Sequence, residues 1–152
     1  MKGLLTLIPG DRPFEVFARA DRIYLDETGQ AAIYDYKTGA PPTLKTIGTF
    51  HHQLHIQAAI LMEGRFEGLA RHTTVEGAYL GLTGSGEGGK GTKADDLPTG
   101  IAEHVAKLKA LIEAYCRSDT PFTARTRPFK ETDVGDYDHL ARRGEWEGVD
   151  RT

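Results

Sequence analysis

Cysteine occurs once, at Cys116, in the 152-residue chain, and tryptophan also occurs once. A single cysteine excludes an internal disulfide framework and any zinc or iron–sulfur centre built on cysteines alone. Long apolar runs are missing as well. Residues 58–62 form the longest, far short of the ~18 needed to cross a bilayer. The amino-terminal residues carry no apolar stretch followed by a small-residue cleavage site, so no secretory signal is expected. Nor is there a surplus of positive charge. Lys and Arg number 19 against 22 Asp and Glu, a formal net charge of −3, which excludes a domain that holds nucleic acid by bulk charge alone. An enzyme that meets nucleic acid through a cation-loaded carboxylate site stays within that bound. What is present is 39% hydrophobic and 27% charged, the composition of a soluble globular domain with a modest core. The expected location is the cytoplasm, with no membrane partner.

Charge is uneven along the chain. Residues 117–130 hold four basic residues against one acidic, and residues 131–152 hold seven acidic against three basic. Pro9, Gly10 and Pro13 keep the first residues from forming a useful helix, although a short strand fits 4–8. Residues 14–25 are rich in Phe, Val, Ile and Tyr. Asp26-Glu27-Thr28-Gly29 is turn chemistry, and 30–36 resumes as a strand, so this stretch reads as a β-hairpin. Thr38 to Pro42 end the second strand. Residues 51–62 read as a mostly buried helix, 75–82 as a strand, and 83–96 as a Gly-rich loop. In 101–116, Ile101, Val105, Leu108, Ile112 and Tyr115 recur at helical spacing. After Pro121 the pattern is irregular, with a helical turn expected near 137–143. The fold class is therefore α/β, a mixed sheet flanked by helices, with a core expected over 1–118 and an extended tail over 119–152.

The hairpin carries the chemistry. Asp35 and Lys37, two apart on a strand, leave the same face. With the turn centred on Thr28, partner numbers sum to 56 and Asp21 falls opposite Asp35. Facing carboxylates repel, and a divalent cation between them resolves the conflict, since Mg²⁺ takes oxygen ligands and often one or two carboxylates. On that reading, neutralising either carboxylate stabilises the metal-free fold. Lys37 adds a cation able to orient an attacking water or to stabilise charge developing at phosphorus. The same spacing also suits an exposed ion-pair cluster, Asp35–Lys37–Asp21, with no metal.

Three segments occur in order: Ala18-Arg19-Ala20-Asp21-Arg22-Ile23, Ile33-Tyr34-Asp35-Tyr36-Lys37-Thr38-Gly39, and Gln53-Leu54-His55-Ile56-Gln57-Ala58. Together they resemble the RecB-like branch of the PD-(D/E)xK nucleases. The extension to Ala40-Pro41-Pro42 and the segment Tyr137-Asp138-His139-Leu140-Ala141-Arg142 look most like the carboxy-terminal nuclease domains of AddB-type helicase–nuclease subunits of alphaproteobacterial form. The resemblance implies a restriction-endonuclease-like core and Mg²⁺-dependent hydrolysis of DNA phosphodiesters, with Mn²⁺ as a substitute ion. It implies that Asp21, Asp35 and the backbone carbonyl of Tyr36 bind the metal, that Lys37 is the catalytic lysine, and that Gln53 sits beside the site, contacting Lys37 or the DNA. An AddA-like subunit is the implied partner in processing double-strand breaks for recombination, with ATP used only in other domains of the complex. The first helix usual in this family is missing upstream of residue 14, so the chain reads as the carboxy-terminal part of a larger protein. The cysteine-bound iron–sulfur cluster of many AddB proteins is not expected here, because Cys116 stands alone.

Other features invite competing readings. Residues 84–89 match G-x-G-x-x-G, but Gly91 stands where a P-loop needs Ser or Thr, and no apolar helix start follows, so a surface loop is expected. His51, His52 and His55 lie close in sequence. A His51–His55 pair on one helical face would suit zinc, although no third ligand is evident nearby in sequence. His51 also suits contact with DNA phosphate, as do Arg125, Arg127 and Lys130, where a solvated linker fits equally well. Cys116 reads as a small buried or half-buried residue, and Trp146 as an anchor for the tail. Two further functional readings stand beside the nuclease. One is a catalytically inactive nuclease-fold module for DNA binding or subunit assembly, against which the joint presence of Asp21, Asp35 and Lys37 argues. The other is a stand-alone restriction-like endonuclease, which fits the motifs but not the tail.

Overall fold

A computed structural model describes residues 1–8, 13–82 and 89–122, together with Gly135, Asp138 and Leu140. The chain separates into two compact units, 1–112 and 113–152. Among the described residues the first unit holds six strands: β1 (Lys2–Ile8), β2 (Phe14–Arg19), β3 (Arg22–Leu25), β4 (Ala31–Lys37), β5 (Thr74–Gly81) and β6 (Lys90–Lys93). Helices α1 (Leu44–Phe50) and α2 (Gln53–Met62) lie between β4 and β5, and α3 (Leu97–Tyr115) follows β6. β1 and β2 form a two-stranded antiparallel sheet, and the other strands form a four-stranded sheet in the order β3-β4-β5-β6. β4 pairs antiparallel with β3 and parallel with β5, and β5 pairs antiparallel with β6. This is the mixed sheet flanked by helices that the sequence pattern called for.

The turn between β3 and β4 sets the register. Asp26 Oδ1 accepts hydrogen bonds from Thr28 N, Thr28 Oγ1 and Gln30 N, each at 2.8 Å. Gly29 takes φ +79, a left-handed conformation glycine adopts without a Cβ penalty. Arg22 then pairs with Tyr34 and Ile23 with Ile33, so partner numbers sum to 56 as the turn chemistry predicts.

The strand expected over 14–25 is broken. At the break Gln57 Nε2 donates to the carbonyl of Arg19 at 3.2 Å, and Ala20 N–H donates to the carbonyl of Met1 at 2.9 Å. Both capture the backbone for another partner. β2 therefore belongs to the sheet with β1, and only β3 pairs with β4.

The helix expected over 51–62 is α2, which starts two residues later at Gln53, and a separate helix, α1, precedes it over 44–50 where none was expected. Thr43 caps α1, its hydroxyl accepting from Thr46 N at 3.3 Å. The chain leaves helical geometry at His51 (φ −108, ψ 72) and enters α2 at His52. α3 begins at Leu97, earlier than the apolar repeat suggested, and ends at Tyr115. Part of the expected Gly-rich loop is β6, which completes an edge of the sheet, while residues 83–88 of that loop lie outside the described residues.

The core forms where α2 meets β4 and β5. Ile33, Leu54, Ile60, Leu61, Tyr79 and Leu97 are all fully buried, and each such aliphatic side chain contributes about 1.5–3 kcal/mol by leaving water. β4 is buried at Ala31, Ala32, Ile33 and Asp35, as befits a strand paired on both edges. Cys116 is exposed instead of buried. In the second unit the Tyr115 ring stacks on Phe122 with centroids 4.9 Å apart. No described helix is long and apolar enough to cross a membrane.

Candidate active site

Four residues singled out from the sequence converge at the carboxyl end of β4. Asp35 lies inside the strand, 2% exposed. Its Oδ1 accepts a hydrogen bond from Gln53 Nε2 at 2.7 Å. Its Oδ2 accepts no directed hydrogen bond and pairs instead with the Lys37 ammonium at 2.6 Å. Lys37 Nζ also reaches Gln53 Oε1 at 3.5 Å. Gln53 is the first residue of α2, so the crossover between the parallel strands delivers its carboxamide to the end of β4.

Asp21 precedes β3 at the position that continues the register to Asp35. It is exposed, and its Oδ2 accepts the backbone N–H of Tyr36 at 2.9 Å. The register thus brings Asp21 to the end of β4 that carries Asp35, as the turn chemistry predicts. The repulsion expected between them is answered in the structure by the protein itself: Lys37 and Gln53 occupy Asp35, and the Tyr36 N–H occupies one oxygen of Asp21.

Beneath Lys37 lies Tyr79, which the sequence reading placed on a strand but did not single out. Parallel pairing sets Asp35 beside Tyr79. The Lys37 ammonium stands 5.5 Å from the Tyr79 ring centroid, within the range of a cation–π contact. Burial pushes the Tyr79 phenol up to about 12; the charge of Asp35 acts in the same direction, and a backbone hydrogen bond at Leu54 opposes both. The phenol stays protonated at neutral pH and donates to the carbonyl of His51 at 3.1 Å. His51 packs edge-on against the same ring, with centroids 5.9 Å apart. The histidine considered for DNA contact is therefore half-buried against Tyr79. Arg125, Arg127 and Lys130 lie outside the described residues, as does Trp146.

The donor set fits a hard divalent cation. Asp21 and Asp35 supply carboxylate oxygens from facing positions, and Asp35 Oδ2 is a buried oxygen with no directed hydrogen bond, the kind of ligand Mg²⁺ or Mn²⁺ takes. Among the described residues Asp35 Oδ2 is held by Lys37 alone, so a cation there shares or displaces an ammonium.

The His51–His55 pair weighed for zinc does not form on one helical face, because His51 lies outside α2. A different group does assemble. His52, His55 and His104 each place a ring nitrogen so that all three lie within 4.8 Å of one another. Asp96 faces two of them, its oxygens 3.2 Å from His55 Nε2 and 3.5 Å from His104 Nε2. Neither His104 nor Asp96 was legible as a partner, since they lie 41 or more residues beyond His55.

A family model described as the PD-(D/E)XK nuclease superfamily matches residues 4–130. Among curated proteins and among solved structures, no significant match is found.

Proposed function

The chain belongs to the PD-(D/E)XK nuclease superfamily, and from that premise we propose that it is a Mg²⁺-dependent deoxyribonuclease whose reacting centre is Asp21, Asp35 and Lys37. The observation that carries the reading is the convergence of both carboxylates, the lysine and Gln53 at one strand end. The arrangement supports a division of labour. Asp21 and Asp35 hold the divalent ion, joined by the carbonyl of Tyr36. In extended backbone a residue's N–H and C=O leave the same edge, and the N–H of Tyr36 already faces Asp21. When bound, the ion supplies Lewis-acid polarisation of the phosphate and a nucleophilic water at neutral pH.

Lys37 lies above the Tyr79 face and donates to the phosphate oxygens as negative charge builds at phosphorus, where a fixed cation in a half-buried site acts most strongly. Gln53 holds Asp35 Oδ1 and leaves the other oxygen for Lys37 and the ion. The ring of Tyr79 keeps water from the inner side of the site. At a broader level, the reading extends to an exonuclease module of an AddB-type helicase–nuclease, with DNA as substrate, an AddA-like subunit as partner and double-strand break processing as the role. The extension of the Asp35-to-Gly39 segment to Ala40-Pro41-Pro42 and the sequence Tyr137 to Arg142 support it.

A second reading follows from the engagement of both Asp35 oxygens: a nuclease fold retained for DNA binding or subunit assembly, its carboxylate held by Lys37 and Gln53 in place of metal. One pair of measurements separates the two. Calorimetric titration of Mn²⁺ into the chain, with Asp35→Asn as control, is paired with Mg²⁺-dependent cleavage of linear DNA by wild type and Lys37→Ala. The enzyme reading expects Mn²⁺ binding that Asp35→Asn removes and cleavage that Lys37→Ala abolishes with DNA binding retained. Cleavage unchanged in Lys37→Ala removes the catalytic assignment, and absence of Mn²⁺ binding favours the scaffold.

A further inference from the structure

We propose that His52, His55 and His104, backed by Asp96, form a second metal site, one that takes a transition-metal ion of the zinc class and ties the start of α2 to the start of α3. The site is chemically unlike the Asp21–Asp35 pair. Imidazole nitrogens suit zinc and its neighbours, whereas all-carboxylate oxygen sets suit magnesium and manganese.

Two helical faces meet at the cluster. His52 and His55 stand three apart at the entry to α2, and Asp96, Gly100 and His104 follow at intervals of four along the start of α3. Residues so spaced share one face of a helix. The rings are already in contact: His55 and His104 centroids lie 3.9 Å apart, and His52 and His104 4.5 Å.

Gly100 makes this approach feasible. A Cβ there would lie 3.1 Å from Asp96 Oδ2, 3.4 Å from His104 Cδ2 and 3.4 Å from His55 Nε2, so a side chain would crowd the group from above. His55 is fully buried, and its Nδ1 has no hydrogen-bond partner. A buried imidazole nitrogen left without a partner is costly, and metal ligation satisfies it. Asp96 contacts the Nε2 atoms of His55 and His104, the arrangement in which a carboxylate fixes ring orientation behind a metal-binding histidine.

Burial holds His55 below its ordinary value, the neighbouring His104 pushes the same way and Asp96 opposes. The three nitrogens lie no more than 4.8 Å from one another, in the neighbourhood of the separation of about 3.4 Å between ligands of a tetrahedral zinc site. His52 directly precedes Gln53, so an ion held by His52 would anchor the start of the helix that carries the Gln53 carboxamide. The metal site does not rest on the nuclease reading and survives its failure.

The test uses Zn²⁺ alone, and Co²⁺ as a spectroscopic stand-in, added to chelator-treated protein. Calorimetry reads stoichiometry, and visible absorption reports tetrahedral nitrogen ligation of Co²⁺. The expected result is one ion bound per chain. His52→Gln and His104→Gln should each weaken it by about 100-fold or more, and Asp96→Asn by roughly 10–100-fold. Asp35→Asn should leave it unchanged. No binding by wild type overturns the site, and so does binding that survives both histidine variants or disappears only in Asp35→Asn. If far-UV circular dichroism shows a histidine variant unfolded, imidazole NMR of the wild type decides. Zn²⁺ should shift His52, His55 and His104 but not His72, whose Nδ1 contacts the carbonyl of Gly29; no such selective shift overturns the site.

Discussion

Gln53 and Asp35 stand 18 residues apart in sequence and 2.7 Å apart in space, the carboxamide of one donating to the carboxylate of the other. This contact links the crossover helix to the central strand at the point where the chemistry is proposed. A buried carboxylate whose only other partner among the described residues is Lys37 is an uncomfortable group, and Gln53 relieves part of its desolvation cost.

Replacing Gln53 by Ala therefore leaves Asp35 one donor short. The expected loss is about 1–3 kcal/mol of stability, read by urea denaturation, with helix content otherwise preserved. DNA cleavage should fall as well. A variant as stable as wild type would show that the contact carries no net weight.

The two aspartates should respond differently to neutralisation. Sequence reasoning from carboxylate repulsion expects both Asn variants to stabilise the metal-free fold, but the partners seen in the structure reverse that expectation for Asp35. Asp35→Asn removes the counter-charge of Lys37 and sets one amide NH₂ against another donor, so it should cost about 1–3 kcal/mol. Asp21 is exposed, and an Asn oxygen there can still accept from Tyr36 N–H, so Asp21→Asn should stay within about 1 kcal/mol of wild type. Equal effects in parallel melts would contradict this asymmetry.

Tyr79 gives the fold an alkaline limit. Its phenol titrates near its ordinary 10.0 in the unfolded chain and at about 12 in the folded one. Between those values the unfolded state has released the proton and the folded state has not, so stability falls as pH rises. The contribution is complete below about pH 10 and is lost by about pH 12. Tyr79→Phe should flatten this part of the curve. A stability gap between wild type and variant that stays constant from pH 9 to pH 11.5, about the span of the effect, would rule the origin out.

Gly81 closes the sheet against the loop after β4. A Cβ there would collide with the carbonyl oxygen of Gly39 and lie 2.7 Å from Pro41 Cδ. Both are backbone or ring atoms with little room to yield, so Gly81→Ala should cost about 1–3 kcal/mol by overpacking. Calorimetric melting checks it, and an unshifted transition would mean that the 39–41 segment moves freely.

Much of the site was legible because it is local. The Asp26-to-Gly29 turn fixes hairpin register through its own side chain and a left-handed glycine, and register alone puts Asp21 opposite Asp35. The side-chain period of two then aligns Lys37 with Asp35. What escaped the sequence depends on distant segments. The break at Ala20 depends on Gln57 and Met1 capturing backbone groups, which no local propensity signals. α1, a seven-residue helix ahead of the expected one, is too short and too mixed in composition for its local pattern to announce it. β6 is four residues of Lys, Gly and Thr that become a strand only because β5 offers an edge. His104 and Asp96 reach His55 only once α3 is packed.

The parallel pairing of β4 with β5 also dictates an order of assembly. Asp21, Asp35, Lys37 and Gln53 are all made before residue 54, yet the strand that covers Asp35 begins at Thr74, after two intervening helices. Closing so long a loop costs entropy before any pairing repays it. The early hairpin can form alone, but Asp35 leaves water only when Tyr79 arrives beside it. A nascent or truncated chain ending before β5 carries every proposed catalytic residue and none of the enclosure that makes them a site, so strand pairing rather than synthesis sets when competence begins.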